Sequence, residues 1–142
     1  MRTYGGRLVR MWQTPEPTEP AAVAARGRYA RNAVVQGSAA ELFKMWAVTV
    51  RAGLASTGGE IVLCLHDELL LHVPEADAAE ASALLREALA NSAATWAAGS
   101  SVRFVVDIAV VRRWSDAKDG AAIGSTGALT GLAAEPVVRN AP

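Results

Sequence analysis

Three ionisable residues in a row, His66-Asp67-Glu68, sit between two apolar runs in Leu63-Cys64-Leu65-His66-Asp67-Glu68-Leu69-Leu70-Leu71-His72-Val73. Each run is too short for a helix and suits a buried strand. Charged side chains at the tip of a buried hairpin are costly unless paired, solvated or bound to a cation. Hard cations such as Mg²⁺ take oxygen ligands and keep several waters, so one or two carboxylates plus substrate phosphates suffice. Asp67 at a hairpin tip is therefore half of a two-metal phosphoryl-transfer site. The plainer alternative is a solvated turn with a capping Asp. A metal-dependent nuclease or hydrolase using His66 and Asp67 is a third reading and needs more ligands. The other histidine, His72, is six residues on and reads as a strand residue at a domain edge.

A second constellation is Arg28, Asn32 and Gln36. Four-residue spacing puts them on one helical face. Arginine supplies charged donors, while Asn and Gln both donate and accept. Such a row suits phosphate, sugar or base edges in a groove. Gln36 is followed by Gly37, which permits close backbone approach. A solvated helix face would have the same pattern.

The elements that must position these groups follow from the pattern. Residues 1–27 read as an N-terminal turn and a proline-rich loop, with Gly5-Gly6-Arg7 before a possible short strand at Leu8-Val9 and Pro15, Pro17 and Pro20 beyond it. Arg28 to about Ala55 reads as a helix, with a possible break near Gly37. Its apolar residues Ala39, Leu42, Phe43, Trp46 and Val50 recur at helical spacing. Thr57-Gly58-Gly59 ends it. Ile61–Leu65 and Leu69–Val73 are the hairpin strands. Pro74 and Glu75 open a second helix with Ala81, Leu84, Leu85, Ala88 and Leu89 as its buried stripe. Ala97–Ser101 is a turn. Val102–Val111 is a strand with Phe104, Val106, Ile108 and Val110 on one face and Asp107 on the other. Residues 118–142 are rich in Gly, Ala, Ser and Thr and read as a disordered tail. The fold class is α+β.

Bulk properties narrow the function. The chain has 142 residues, enough for one modest domain. Its one cysteine, Cys64, excludes an internal disulfide framework and a cysteine-based zinc site. The longest apolar runs are five residues, far below the roughly 18 that a membrane span needs. No apolar signal-peptide region is visible, so a cytoplasmic protein without a membrane partner is expected. The zero net charge hides an asymmetry. Residues 1–51 hold eight basic and three acidic groups, a net of +5, and residues 52–142 a net of −5. A basic front half suits a polyanion partner; an acidic back half suits cations or plain solvation.

Together these residues carry a family resemblance. Arg28-Tyr29-Ala30-Arg31-Asn32-Ala33-Val34-Val35-Gln36-Gly37-Ser38-Ala39-Ala40-Glu41 resembles the Arg-x-x-x-Asn-x-x-x-Gln-Gly-Thr-Ala-Ala-Asp segment of family A DNA polymerases, the DNA polymerase I type. Leu65-His66-Asp67-Glu68-Leu69 resembles their Val-His-Asp-Glu-Leu motif. Thr3-Tyr4-Gly5-Gly6-Arg7 resembles the Thr-x-x-Gly-Arg element before both, and Trp114-Ser115-Asp116-Ala117 the end of the family domain. Order and spacing agree over about residues 2–119. Ser38 stands for the usual Thr, Glu41 for the usual Asp, and Cys64 where many members carry Gln.

The resemblance implies a partial palm over residues 28–117, with a helix, a β-hairpin, a helix and a strand. It implies that Asp67 is a ligand of catalytic Mg²⁺, that Glu68 supports it, and that His66 contacts the primer terminus. It implies that Arg28, Asn32 and Gln36 hold the primer-template, largely from the minor-groove side. The reaction implied is nucleotidyl transfer from a deoxynucleoside triphosphate (dNTP) to a primer 3′-hydroxyl in DNA replication or repair. Family members also need a second catalytic Asp on a palm strand and a fingers helix that grips the triphosphate. This chain shows neither, so the expectation is a fragment, inactive alone, whose partner would be the upstream part of a polymerase. A non-catalytic DNA-binding remnant is the alternative.

Overall fold

In the computed structural model the described residues are 1–11, 18–117 and 135–139. They divide into two units, Met1–Lys44 and Met45–Pro142. Helix α1, Pro20–Leu54, contributes to both.

The helix begins eight residues before the expected Arg28. The physical reason lies in Pro20 and the alanines after it. A proline at a first helical position gives up only an N–H that has no intrahelical acceptor. Ala21, Ala22, Ala24 and Ala25 are the strongest helix formers. Residues 20–27 therefore belong to the helix rather than to a loop; residues 12–17 lie outside the described residues. The possible break at Gly37 is absent, and α1 runs through it. Glycine serves close approach there: a Cβ on Gly37 would lie 2.6 Å from Thr3 Cγ2.

In the first unit the N-terminal segment folds back on itself through an isolated bridge between Arg2 and Leu8. No regular strand forms at Leu8-Val9. Thr3 N donates to Arg7 O at 2.9 Å and Gly6 N to Thr3 O at 3.0 Å. Gly6 takes a φ of 88°, which a side chain would resist. We call Met1–Arg10 the strap.

In the second unit, β1 (Glu60–Leu65) and β2 (Glu68–His72) form the expected hairpin. A short 3₁₀ turn, Glu75–Asp77, leads into α2 (Ala78–Trp96). β3 (Asp107–Val111) follows, then a 3₁₀ turn at Trp114–Ala117. β4 (Glu135–Arg139) completes an antiparallel sheet of order β1-β2-β4-β3. Of the expected tail, residues 118–134 and 140–142 lie outside the described residues, while 135–139 form this strand. Leu70 pairs with Val137, but the β2 ladder stops before Pro136, which pairs only with Val110 of β3. Proline has no N–H for a second ladder.

Among the described residues, the core of the unit draws on α1, β2, α2 and β3. Leu69, Leu71 and Val73 alternate with Leu70 along the chain, so they face opposite sides of the sheet, and all four are buried. β2 is thus covered on both faces. Trp46, Val50 and Leu54 of α1 are buried, as are Ala81, Leu85, Ala88 and Leu89 of α2. Leu84, expected in that stripe, is half-buried, and its side chain lies over Gly53 of α1. The Trp46 indole donates Nε1–H to Leu85 O at 2.9 Å. On the Leu70 side, Val111 packs with Leu63, Ala109, Trp114 and Ala117.

Two strands differ from expectation. The apolar run of β1 suits a buried strand, yet Val62, Cys64 and Leu65 are exposed. Among the described residues, β1 is the edge of the sheet, with β2 as its neighbour, and its register shifts between Ile61 and Leu63. Such irregularity blunts an edge against further pairing. β3 covers only the second half of the expected Val102–Val111, because its partner β4 reaches no further than Asp107. No helix among the described residues is long and apolar enough to cross a membrane.

One half-buried charged side chain stands out. Arg112 Nε and Nη2 are buried without a hydrogen-bond partner among the described residues. Buried donors left without partners cost stability, and an apolar residue of similar volume removes that penalty. Arg112→Met is therefore expected to raise stability by about 1–3 kcal/mol, seen as a higher thermal midpoint. A lower midpoint would mean that the guanidinium is paired in solution.

Candidate functional site

The hairpin fixes where the three ionisable groups go. Leu65 pairs with Glu68, leaving His66 and Asp67 as a two-residue loop. Such loops need unusual backbone angles to match strand twist. His66 supplies them with a φ of 43°, a region that histidine tolerates better than most residues but that still costs energy. His66 and Asp67 are exposed, and Glu68 is half-buried as the first residue of β2. The expected burial penalty for Asp67 is thus not incurred. His66→Gly is expected to leave stability within about 1 kcal/mol, because relief of the left-handed angle offsets the entropy that glycine loses on folding. A denaturant titration checks this; a drop well beyond that would mean the imidazole itself holds the turn.

His72 ends β2, opposite Glu60, at the far end of the hairpin from His66. Four strand steps separate His72 from Glu68, roughly 13 Å. The hydrolase reading therefore gains no ligand from it. Among the described residues, no group of three His, Cys, Asp or Glu could hold a metal ion. The Asp67 tip offers one carboxylate and is not a complete cation site.

The second constellation lies in the first unit. Arg28, Asn32 and Gln36 are all exposed on α1, two helical turns of polar side chains along one face. The helix is braced from elsewhere. Glu41 accepts from Thr3 Oγ1 at 2.5 Å and from Gly5 N at 2.9 Å, and it pairs with Arg7 Nε at 3.3 Å. Ser38 Oγ accepts from Tyr4 N at 3.0 Å and donates to Val34 O at 2.8 Å. At 100° per residue, Val34, Gly37, Ser38 and Glu41 lie on the side of α1 opposite Arg28, Asn32 and Gln36. The strap therefore grips the back of the helix and leaves the polar row uncovered.

This clamp joins two motifs that the sequence showed only as separate. The Thr3–Arg7 element and the Ser38–Glu41 end of the helical motif are one hydrogen-bonded unit. The sole signal in the sequence was chemical: a hydroxyl and an arginine in one motif, a carboxylate in the other.

The sequence pattern of DNA polymerase family A matches residues 2–116, which include the strap, the polar row, the hairpin and β3. This chain belongs to DNA polymerase family A. A thermostable DNA polymerase I of Thermus filiformis is 41% identical over 91 residues, which are 64% of this chain and 10% of that protein. The thermostable DNA polymerase I of Thermus thermophilus is 37% identical over the same shares. DNA polymerase theta of Caenorhabditis elegans is 34% identical over 91 residues, 64% of this chain and 6% of that protein. The chain thus matches about a tenth or less of the length of these curated relatives. No solved structure matches it. In this family A chain, the hairpin tip and the helical row both lie within the matched residues.

Proposed function

We propose that this chain supplies part of the palm of a family A polymerase for template-directed DNA synthesis, with a primer-template and dNTP as its substrates. The observation that carries this is that the residues of the family match include both an exposed Asp67 hairpin tip and an exposed Arg28/Asn32/Gln36 row, each in its own unit. Arg28 holds a backbone phosphate. Asn32 and Gln36 hydrogen-bond to base edges in the minor groove near the primer end. His66, raised on the loop, contacts the primer terminus. Asp67 offers one carboxylate to a Mg²⁺ ion, with Glu68 beside it. The remaining ligands come from substrate phosphates, water and polypeptide beyond this chain, so no catalytic step is assigned to this chain alone. The reading extends to replication or repair in the cytoplasm.

A second reading, DNA binding without catalysis, rests on the exposed Arg28/Asn32/Gln36 row, which needs no metal to contact DNA. One experiment addresses both. The chain is mixed with a labelled primer-template, Mg²⁺ and four dNTPs, with Asp67→Ala as control. We expect the primer-template to be bound and not extended. Asp67-dependent extension would overturn the claim that further ligands are required. Absence of binding would overturn both readings. Addition of the remaining part of a family A polymerase is expected to give extension that Asp67→Ala abolishes; if extension is equal for the two, the palm assignment fails.

A further inference from the structure

We propose that β4 is a stand-in strand. It fills a slot between β2 and β3 that receives, in a complete polymerase, an extended strand from polypeptide beyond this chain. The identity of that occupant rests on the polymerase reading; the slot and its filling by β4 do not.

The slot follows from strand direction. β2 and β3 are each antiparallel to β4, so they run parallel to one another. α2 lies between them in the chain. Two parallel strands joined through a helix, with one strand position left between them, form a split βαβ unit. That position needs an occupant, because Leu69, Leu70 and Leu71 in the middle of β2 are buried. A buried strand with a ladder on one side only would leave N–H and C=O groups unpaired, at a cost in free energy.

The filler comes from outside the family match. Residues 2–116 contain β1, β2, α2 and β3, whereas β4 begins at Glu135. The matched stretch therefore holds both walls of the slot and not the strand within it. In the Thermus filiformis and Caenorhabditis elegans relatives the aligned segment is 10% and 6% of the polypeptide. Most of each relative's chain is thus available to supply an occupant of another sequence.

β4 is also the weaker fit on one side. Five of its residues pair with β3 and only three with β2. Continuing the β2 register would bring Pro136 against Leu71, and proline has no N–H to give. The β2 seam is therefore where a competing strand enters, and an occupant without proline gains pairing that β4 lacks. Register also sets Arg139 against Glu68, at the Asp67 end of the slot. A basic residue at that position opposes a cation nearby, so the slot filled by β4 is a resting form. Adding a strand to a sheet through its backbone is an established mode of polypeptide recognition.

The test uses the full chain and two variants of opposite sign. Val138 pairs with Leu69 on one side and Ile108 on the other, so Val138→Pro removes a ladder donor whichever side its N–H serves. Pro136→Val adds a donor and cannot act by misfolding. Hydrogen exchange at residues 69–71 is expected to be about tenfold faster in Val138→Pro and slower in Pro136→Val, with α2 protected in both. The first probe is a labelled peptide of residues 134–140, read by fluorescence anisotropy. It is expected to bind Val138→Pro about tenfold more tightly than the natural chain, because the slot is no longer filled. The second probe is an array of overlapping peptides from the Thermus thermophilus polymerase, taken outside its aligned 91 residues. One contiguous stretch is expected to bind, most strongly to Val138→Pro and least to Pro136→Val. Unchanged exchange in both variants would overturn β4 as the occupant. Equal binding by all three chains would overturn the competition. If only the chain's own peptide binds, the slot belongs to β4 of this or a second copy, and the stand-in role fails. The polymerase reading is judged apart from this, by Asp67-dependent primer extension.

Discussion

Trp46→Ala is expected to remove a large share of the stability of the second unit and to lower its thermal midpoint steeply. The indole is fully buried, and its N–H donates to Leu85 O of α2. Truncating a buried tryptophan removes its transfer energy and leaves a cavity, together about 3–5 kcal/mol. A whole domain is stable by only about 5–15 kcal/mol. A loss of that size lowers the thermal midpoint by roughly 15–30 °C for a unit near 100 residues. Trp46→Phe keeps most of the volume and loses only the N–H bond, so it should cost about 1–2 kcal/mol. Circular dichroism melts and urea titrations of the two variants check this. Similar midpoints for Trp46→Ala and the natural chain would mean that Trp46 is not at the centre of the core. The hairpin that carries Asp67 is held by the same core through Leu69 and Leu71, so loss of the core is loss of the hairpin's frame.

The hairpin and the polar row were legible because both depend on local pattern. Glu68 is followed by Leu69-Leu70-Leu71, and an apolar run of that length between a polar pair and Pro74 has few alternatives to a strand buried on both faces. Four-residue spacing fixes Arg28, Asn32 and Gln36 on one face wherever the helix begins. What remained hidden depends on contacts between distant segments. Glu41 reads as a replacement for Asp in a motif; only the fold shows that it collects a hydroxyl, an amide and a guanidinium from residues 3–7. Gly37 reads as a possible helix break because its intrinsic preference is poor. Its packing against Thr3 overrides that preference. β1 reads as buried because its residues are apolar, and its position at the sheet edge is a property of topology. The start of α1 at Pro20 was masked by three prolines in six residues, of which one sits where a helix accepts it.

The polar row makes a prediction with internal structure. The triple variant Arg28→Ala/Asn32→Ala/Gln36→Ala is expected to weaken duplex DNA binding roughly a hundredfold, or about 3 kcal/mol, from one phosphate and two base-edge contacts. The three residues should contribute in different currencies. Arg28 is charged, so Arg28→Ala should lower the slope of log affinity against log salt by about one, the release of one counterion. Asn32 and Gln36 are neutral, so their loss should weaken binding and leave the slope intact. The minor groove presents acceptors at every A·T and T·A pair alike. Affinity lost at Asn32 and Gln36 should therefore be nearly the same on A·T and T·A pairs. All three side chains are exposed, and the clamp holds α1 from its other side. The substitutions should then leave the helix in place, so that a change in affinity reports the contact rather than the fold. Binding measured over a salt series and on duplexes of different composition tests each part separately. A loss confined to one sequence would assign the row to specific recognition. An unchanged salt slope in Arg28→Ala would remove the phosphate from that residue.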